Sequence, residues 1–294
     1  MDITQKVTVH ILNAFVENGA GGNPAGVVLD ADNLSNQQKL QIANKVGLSE
    51  TAFVSKSKTA GVKLDFFTPN KQIAHCGHAT VATFSYLKQI GAVSGARSSK
   101  ETIDGKRDIA LSGELAFMEQ LAPTYIDVGD KESEILSSLG FQKTDMIAKA
   151  PIKVVNTGNS FMLIPVKDAE ILKNLTPDFD LINEISEAFD LIGYYVFTTN
   201  TEDAQLDATS RMFGPRYGIQ EEAGTGMAAG PLACYLYDVL EIKKQRYYLQ
   251  QGKYMNEPSS SLILVDLLIE QEEIKGLMAG GKGLLKSEMI FEID

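Results

Sequence analysis

The pattern of apolar and polar positions along the chain predicts many short strands and few helices. A run rich in β-branched and apolar residues at 6–16 and a shorter one at 26–29 are typical of strands. Further runs of this kind lie at 51–57, 62–69, 152–158, 161–166, 193–199, 207–213, 260–270 and 287–293. Such a mixture favours an α+β fold class with mainly antiparallel sheets.

Three segments have the pattern of surface helices. The first begins at a capping box formed by Ser35 and Gln38 and is expected to end at Gly47, a residue that readily adopts the left-handed conformation of a helix C-terminus. The other two lie at 132–140 and 181–190.

Two further helices are predicted within an internal repeat. Phe-x-Pro followed by a glycine turn occurs at 67–82 and again at 213–229, with eight residues from proline to the first glycine in one copy and nine in the other. The first helix is expected at about 79–90, ended by Gly91, and the second at 226–237. Neither 79–87 nor 226–237 contains a charged residue. A helix that is uncharged on every face is expected to be buried on every face, so the repeat predicts two similar lobes, each with a central helix.

The glycine turns can bind negative charge. The first N–H groups of a helix have no partner within the helix, and the helix dipole favours an anion there. A ligand can approach the backbone closely at these turns, because they contain the glycines Gly77, Gly224 and Gly226. A single turn of this type more often serves packing alone, but its repetition favours a site for a carboxylate or for the charge that forms when a carbon acid loses its proton.

Such chemistry needs an acid or base, and three residues are candidates. Glu50 lies between a helix end and a strand, where a solvated loop carboxylate is the simpler interpretation. Glu222 precedes the second turn, where it could instead cap the helix. His78 opens the first helix and could donate a hydrogen bond or carry a proton, although a histidine at a helix start is more often structural. His75 carries no specific signal.

Composition narrows the classes of function. The 294 residues are 44% hydrophobic and carry a net charge of −11, and basic residues occur only in short runs such as 243–246, so nucleic-acid binding is not expected. No apolar run is long enough to span a membrane, and the N-terminal residues lack the features of a signal peptide, which predicts a cytoplasmic protein. Cys76 and Cys234 argue against a disulfide framework, and the scattered cysteines and three histidines argue against a structural metal.

Taken together, several motifs resemble the phenazine-biosynthesis PhzF-like family, and the resemblance covers essentially the whole chain. They are GNPAGVVLD at 22–30, GLSETAFV at 47–54, FFTP at 66–69 with CGHATVA at 76–82, NTGNSFMLIPV at 156–166, GTGMAAGPLACYL at 224–236 and the tail that starts with QQGKYMNEPSS at 250–260. The resemblance implies the diaminopimelate-epimerase-like fold, in which two pseudo-symmetric lobes each wrap a sheet around a central helix. We place the lobes at 1–120 joined by 280–294, and at 121–279.

The resemblance also implies an activity and a site. The family's founding reaction is the isomerisation of trans-2,3-dihydro-3-hydroxyanthranilate by a proton shift, without a cofactor, in an enzyme that is often a homodimer. The implied general acid/base is Glu50, in the cleft between the lobes, with His78 and Glu222 as further catalytic residues. The implied positions for binding a small carboxylate substrate are Asn23, Ser49, Gly77, Gly158, Thr225, Gly226 and Met227. No metal ligand is implied.

The chain departs from the family pattern at four positions. Glu222 replaces the usual Asp, Met227 replaces the usual Ser and cannot donate its hydrogen bond, Gln72 stands where Glu is common, and Glu257 where Arg is common. These departures bear on the identity of the substrate rather than on Glu50 or His78.

Two alternatives remain open at this point. Related epimerases and racemases use one cysteine at each helix start, and here Cys76 occupies the first position but Ala223 the second, so a racemase would need Cys76 with a partner such as Glu222. The other alternative is a small-molecule-binding homologue without catalysis.

Overall fold

A computed structural model describes residues 5–293 of the chain. These residues form two compact units, one made of the residues up to 119 together with those from 280 onward, and the other of residues 120–279. The chain passes from one unit to the other within two of its strands. Across the described range, no helix is both long and apolar enough to span a membrane.

The regular elements match the predicted mixture of many strands and few helices. The helices are α1 (Asn36–Val46), α2 (Gly77–Gln89), α3 (Glu132–Ser137), α4 (Ala169–Asn174), α5 (Phe179–Ala188) and α6 (Gly226–Asp238). The strands are β1 (Gln5–Ala14), β2 (Asn23–Val28), β3 (Thr51–Ser55), β4 (Val62–Phe67), β5 (Gln72–Ile73), β6 (Arg97–Thr102), β7 (Gly105–Ser112), β8 (Leu115–Leu121), β9 (Thr124–Asp127), β10 (Lys153–Asn156), β11 (Ser160–Pro165), β12 (Gly193–Thr198), β13 (Ala208–Gly214), β14 (Ile219–Glu222), β15 (Arg246–Gln251), β16 (Ser261–Glu270), β17 (Glu273–Lys282) and β18 (Leu284–Ile293).

The first unit combines antiparallel pairs with two parallel ones. Strand β1 pairs antiparallel with both β18 and β2. Strand β2 then pairs parallel with β3, and α1 lies in the connection between them. Strand β4 pairs antiparallel with β3 and parallel with β6, and α2 lies in the connection from β5 to β6. A parallel pair requires such a crossover, so the two helices follow from the strand order.

The second unit repeats this plan. Strands β9, β10 and β11 pair antiparallel, and β11 pairs parallel with β12 across a connection that contains α4 and α5. Strand β13 pairs antiparallel with β12 and parallel with β15, with α6 in the connection. The repeat at 67–82 and 213–229 therefore marks the same place in both units, where a strand ends, a short strand folds back and a buried helix begins.

Helices α2 and α6 are the central helices of their units. In α2 only Tyr86 and the last two residues are not buried, and in α6 only Met227 and Asp238 are not buried. The prediction of helices buried on every face is confirmed, although α2 begins two residues earlier than expected. It ends at Gln89, and Ile90 rather than Gly91 is its C-cap.

Helix α1 begins and ends as predicted. The Oγ atom of Ser35 accepts a hydrogen bond from the N–H of Gln38, while the Gln38 side chain accepts one from the Ser35 N–H. Gly47 closes the helix with a φ of 70°, in the left-handed region. Because Glu50 follows three residues later, directly before β3, this fixed helix end helps to set the position of Glu50.

Candidate active site

In the first unit, the start of α2 and the residue before β3 bring three reactive side chains together. An oxygen of Glu50 lies 3.4 Å from Nε2 of His78, and the Sγ atom of Cys76 lies 3.6 Å from Nδ1 of the same imidazole. The His78 side chain is 5% exposed and that of Glu50 is 16% exposed. This Glu50 oxygen is buried and makes no hydrogen bond to the described residues. It faces His78 and can still accept a hydrogen bond.

A hydrogen bond and a tight packing contact of Gly26 fix the backbone at Glu50. Its carbonyl accepts a hydrogen bond of 3.1 Å from the N–H of Gly26. A Cβ atom at Gly26 would lie 2.7 Å from Oγ1 of Thr51, so only glycine fits beside this strand without displacing Thr51. The glycine in the GNPAGVV motif therefore helps to place the neighbouring carboxylate.

Cys76 is a buried, protonated thiol. Its residue is 5% exposed, and burial raises the pKa of the thiol above its ordinary value. The Glu50 carboxylate acts on that pKa in the same direction, whereas His78 acts against it. A thiol in this state can donate a proton at neutral pH but is a weak nucleophile, because the nucleophile is the thiolate.

Behind the helix start lies a buried lysine. The ammonium group of Lys100, on β6, donates hydrogen bonds to Nδ1 of His75 at 2.9 Å and to Oγ1 of Thr80 at 2.8 Å. Thr80 in turn donates to the carbonyl of Cys76 at 2.6 Å. Burial lowers the pKa of Lys100 from its ordinary value to about 7, and it lowers that of His75 to about 3 with a contribution from Lys100. A chain of hydrogen bonds thus connects this cation to the first turn of α2.

The other binding positions predicted in the first unit have different environments. Asn23 is buried at the start of β2, and Gly77 is buried as the first residue of α2. Ser49 is exposed in the bend before Glu50. The structure therefore brings Glu50, Cys76, His78 and Gly77 together and leaves the Ser49 side chain facing solvent.

In the second unit, the turn before α6 is held by one buried glutamine. Gln251 accepts hydrogen bonds from the hydroxyl of Tyr195 and the N–H of Thr225, each at 2.9 Å. Its amide group donates to the carbonyl of Glu222 at 2.7 Å and to Oγ1 of Thr225 at 3.1 Å. All the polar atoms of this side chain are used, so the turn has one well-defined geometry.

Glu222 is the last residue of β14, three residues before the N-cap of α6. The helix N-cap is Thr225, whose hydroxyl donates a short hydrogen bond to the Glu222 carboxylate. Met227 is partly exposed in the first turn, and its sulfur accepts a contact of 3.5 Å from the amide of Asn159. Gly226 is buried, and its carbonyl accepts a hydrogen bond of 2.9 Å from Gln120.

Gly158 belongs to the same neighbourhood of the second unit. It is exposed with a φ of 116°, a conformation that other residues rarely adopt. The flanking Thr157 donates to Gln120 at 2.7 Å, and Gln120 is the partner of the Gly226 carbonyl. The predicted residues Gly158, Glu222, Thr225, Gly226 and Met227 therefore surround the start of α6.

The sequence interpretation missed Lys100, Gln120 and Gln251. Lys100 lies in a strand of mixed polarity, SSKET, and no spacing indicates that its side chain points inward. Gln251 falls within the tail motif QQGKYM, which marks its position but not its role. The proximity of Cys76 to Glu50 also could not be read from residues 26 positions apart.

Comparison with known proteins decides the family. The family model described as "phenazine biosynthesis-like protein" matches residues 12–287. The chain belongs to this family. Curated relatives of the chain are named as isomerases, and the chain is accordingly an isomerase of the PhzF type.

The alignment with each of two curated relatives covers most of both chains. An uncharacterized isomerase of Clostridium acetobutylicum is 30% identical over 97% of this chain and 99% of its own. The trans-2,3-dihydro-3-hydroxyanthranilate isomerase of Pseudomonas chlororaphis is 32% identical over 85% of this chain and 87% of its own.

Solved structures confirm the predicted fold class. A PhzF-family protein of Bacillus anthracis is similar with a TM-score of 0.88 at 27% identity, over 98% of this chain and all of that one. A hydroxyproline epimerase of Agrobacterium vitis has a TM-score of 0.59 at 12% identity, over 98% of this chain and 93% of its own, which shows a shared fold alone. The expected α+β, diaminopimelate-epimerase-like architecture is therefore present in this PhzF-type isomerase.

Proposed function

We propose that this isomerase moves a proton between two carbon atoms of a small carboxylate-bearing substrate, without a cofactor, and that Glu50 is the general acid/base. The observation that carries the proposal is the buried Glu50 oxygen 3.4 Å from Nε2 of His78, at the start of a central helix. A carboxylate with low exposure and an open acceptor position can take a proton from carbon. The substrate class follows the hydroxyanthranilate isomerase relative.

The proton balance of the reaction is simple. Glu50 removes a proton from one carbon, the electron pair of that C–H bond moves into the conjugated system of the substrate, and Glu50 returns the same proton to another carbon. His78 would donate a hydrogen bond to the substrate or relay the proton. The first amides of α2, beginning at Gly77, would hold the carboxylate or the developing enolate charge, because a helix start favours an anion.

In the second unit, we propose Glu222 as a second acid–base residue of the same reaction. Its carboxylate is already fixed by the Thr225 hydroxyl, and the turn that carries it is fixed by Gln251. The amides near Gly226, with Thr225, Met227 and Gly158, are proposed to contribute to substrate binding. Asn23 and Ser49 keep the same proposed role in the first unit. Because Met227 offers a thioether where the family has a hydroxyl, the exact substrate is expected to differ in the group that meets this position.

The racemase alternative is weakened by the second helix start. Ala223 offers no thiol, and Cys234 is fully buried within α6, where burial raises its pKa further. Cys76 alone could protonate one face of a carbon but has no opposed thiol. Cys76→Ala is therefore expected to keep most of the isomerase turnover, whereas a Cys76-dependent racemase would lose it.

The decisive experiment compares Glu50→Gln with Glu184→Gln, an exposed glutamate of α5 that serves as the matched control. Both proteins would be incubated with trans-2,3-dihydro-3-hydroxyanthranilate in deuterium oxide, and turnover and deuterium incorporation would be followed by NMR. Glu50→Gln should lower turnover by about 10²–10⁴-fold, the range for a positioned acid or base. Turnover within tenfold of the wild type would show that Glu50 is not the base. Binding of the substrate to the wild-type protein without turnover or exchange would favour a binding protein.

The remaining features of the proposal concern assembly and location. By the resemblance to its family, we propose that the enzyme is a homodimer in the cytoplasm. The free thiols of Cys76 and Cys234 support a reducing compartment. Light scattering coupled to size-exclusion chromatography would measure the mass, and a monomer at micromolar concentration would overturn the dimer.

A further inference from the structure

The group formed by Glu50, Cys76 and His78 has the composition of a metal site. Its members offer a carboxylate oxygen, a sulfur and an imidazole nitrogen, and one ligand atom from each lies within 4.8 Å of the others. Sulfur and nitrogen ligands suit ions of the Zn²⁺ class rather than Mg²⁺ or Ca²⁺. All three belong to the first unit and come from only two segments, the residue before β3 and the start of α2.

The spacing between the Glu50 oxygen and Nε2 of His78 falls in the range of tetrahedral coordination, and the Cys76 sulfur lies slightly beyond that range from the same nitrogen. A zinc ion with bonds of about 2.0–2.3 Å holds its ligand atoms roughly 3.3–3.8 Å apart. Here the oxygen of Glu50 is 3.4 Å from Nε2 of His78, and the sulfur of Cys76 is 3.6 Å from Nδ1 and 4.0 Å from Nε2. To bind one ion, the imidazole and the thiol must shift so that the sulfur approaches Nε2 of His78 and the Glu50 oxygen, which all lie within 4.8 Å of one another.

The Glu50 oxygen supplies an independent sign that a ligand is accommodated here. It is buried and makes no hydrogen bond to any described residue, although buried carboxylate oxygens are normally hydrogen-bonded. An ion at this position would complete its coordination. A thiolate and a carboxylate would together neutralise the two positive charges.

Nearby positive charge limits the affinity. The Lys100 ammonium group is bonded to His75 and Thr80, which flank Cys76 in the first turn, and the start of α2 carries the positive end of its dipole. Three protein ligands also fall one short of the four of a structural zinc site, which leaves one position open. These features indicate a reversible ligand and not a resident structural ion.

We propose that Glu50, Cys76 and His78 bind Zn²⁺ reversibly and that the bound ion excludes the substrate. Binding forms one metal–sulfur, one metal–oxygen and one metal–nitrogen bond in exchange for water molecules of the hydrated ion, and the thiol proton is released to the buffer. The inhibitory part rests on the proposed function, because the ion occupies the Glu50 oxygen and the His78 nitrogen that the proton transfer needs. The binding part does not depend on it.

Binding is tested with Co²⁺ alone, as a spectroscopic replacement for Zn²⁺. Titration of the wild-type protein in a chelator-free buffer should produce a thiolate-to-cobalt charge-transfer absorption in the near ultraviolet, with one ion per chain, and Zn²⁺ should abolish it. Absence of this absorption at millimolar Co²⁺ would overturn the proposal.

Variants assign the sulfur and the other ligands. Cys234→Ser is the matched control, because it removes the other thiol of the chain, and it should keep the absorption. Cys76→Ser should lose it. Glu50→Gln and His78→Ala should each weaken binding by at least tenfold, with circular dichroism showing that each variant is folded. An absorption that survives Cys76→Ser but disappears in Cys234→Ser would place the ion elsewhere and refute the site.

Inhibition is measured separately, so that the two proposals can fail independently. Zn²⁺ should raise the KM for trans-2,3-dihydro-3-hydroxyanthranilate in the wild-type and Cys234→Ser proteins, and a chelator should reverse the effect. A cobalt absorption at Cys76 together with unchanged kinetics in Zn²⁺ would refute the inhibitory part alone. A cobalt absorption in a protein that fails to turn over this substrate would refute the assigned substrate and leave the metal site standing.

Discussion

Lys100 donates a hydrogen bond of 2.9 Å to His75, and both side chains have pKa values far below their ordinary range. Lys100 is fully buried, and its side-chain nitrogen bonds to Thr80 in the first turn of α2. Its second partner, Thr80, bonds to the carbonyl of Cys76. Hydrogen bonds through Thr80 therefore connect the buried pair of Lys100 and His75 to Cys76 in the candidate site.

The depressed pKa of Lys100 predicts a specific dependence of stability on pH. Below pH 7 the lysine is protonated in both the folded and the unfolded chain, and the folded state bears the full cost of a buried cation. Between pH 7 and its ordinary pKa of 10.5 the unfolded chain binds more protons, so its contribution to stability rises with pH. The total change for this residue is on the order of a few kcal/mol.

Lys100→Met tests this dependence, because it keeps the side-chain length and removes the charge. The free energy of unfolding, measured by urea denaturation at pH 6.5 and pH 9.5, should rise in the wild type relative to the variant across that interval. Other titrating groups are common to both proteins and cancel in the difference. A difference that does not change with pH would show that Lys100 keeps an ordinary pKa.

His75 predicts a second dependence, at acidic pH. Its pKa is lowered to about 3 by burial first and by the charge of Lys100 second, so the folded state does not protonate it until the pH is far below 6.5. Between pH 6.5 and 3 the unfolded chain binds the additional proton, and stability falls as the pH falls. His75→Gln should lose less stability between pH 6.5 and 4.5 than the wild type. An equal loss of stability in His75→Gln and in the wild type between these pH values would contradict the assignment.

Gln251 is predicted to be a large contributor to the stability of the second unit. Gln251→Leu leaves the hydroxyl of Tyr195, the N–H of Thr225 and the carbonyl of Glu222 without this partner in a buried environment. The expected loss is about 2–4 kcal/mol in the free energy of unfolding, because unsatisfied buried polar groups are costly.

Two comparisons make the Gln251 prediction specific. Tyr195→Phe removes only one of these hydrogen bonds and should lose about 1 kcal/mol. Gln245→Leu changes an exposed glutamine just before β15 and should be nearly neutral. A loss for Gln251→Leu no greater than that for Tyr195→Phe would show that the other three hydrogen bonds add little.

Gly26 is predicted to place Glu50 through its close contact with Thr51. Gly26→Ala adds a Cβ atom 2.7 Å from Oγ1 of Thr51, and overpacking of this kind costs about 1–3 kcal/mol. Turnover should fall together with stability, because Thr51 directly follows Glu50.

The control and the rescue for Gly26 are both available in the chain. Gly276→Ala, where the nearest atom is 3.5 Å away, should be tolerated. The double variant Gly26→Ala with Thr51→Ala removes the clash and should recover most of the lost activity. Failure of the rescue, with both variants folded, would mean that Gly26 acts in another way.

Local signals were enough to predict much of the fold. The capping box of Ser35 and Gln38 and the glycine at 47 depend only on neighbours along the chain, and the structure confirms them. The absence of charge in residues 79–87 and 226–237 predicted the burial of α2 and α6, because a charged side chain has no low-cost place inside a unit.

The positions that the sequence did not reveal depend on distant partners. Lys100 is buried because β6 lies parallel to β4, so that its side chain reaches His75 and Thr80. Its neighbours in the sequence are polar and give no sign that its side chain is buried. In the same way, the sequence left Glu222 open between an acid or base and a helix cap, and it did not reveal the hydrogen bond that the Thr225 hydroxyl donates to the Glu222 carboxylate. The motifs located both turns, but the hydrogen-bond partners at each turn are seen only in the folded structure.

The pairing of β18 with β1 has a consequence for how the protein is made. In this ladder Gln5 lies opposite Ile293, so β1 cannot form this pairing until β18 has been synthesised. Residues 120–279 form the second unit from one continuous segment and emerge from the ribosome before β18 does. Since domains generally fold as units during synthesis, we expect the second unit to form first while the unit that contains Glu50 and His78 remains open along β1. Glu50 and His78 would then reach their final positions only after β18 has been synthesised.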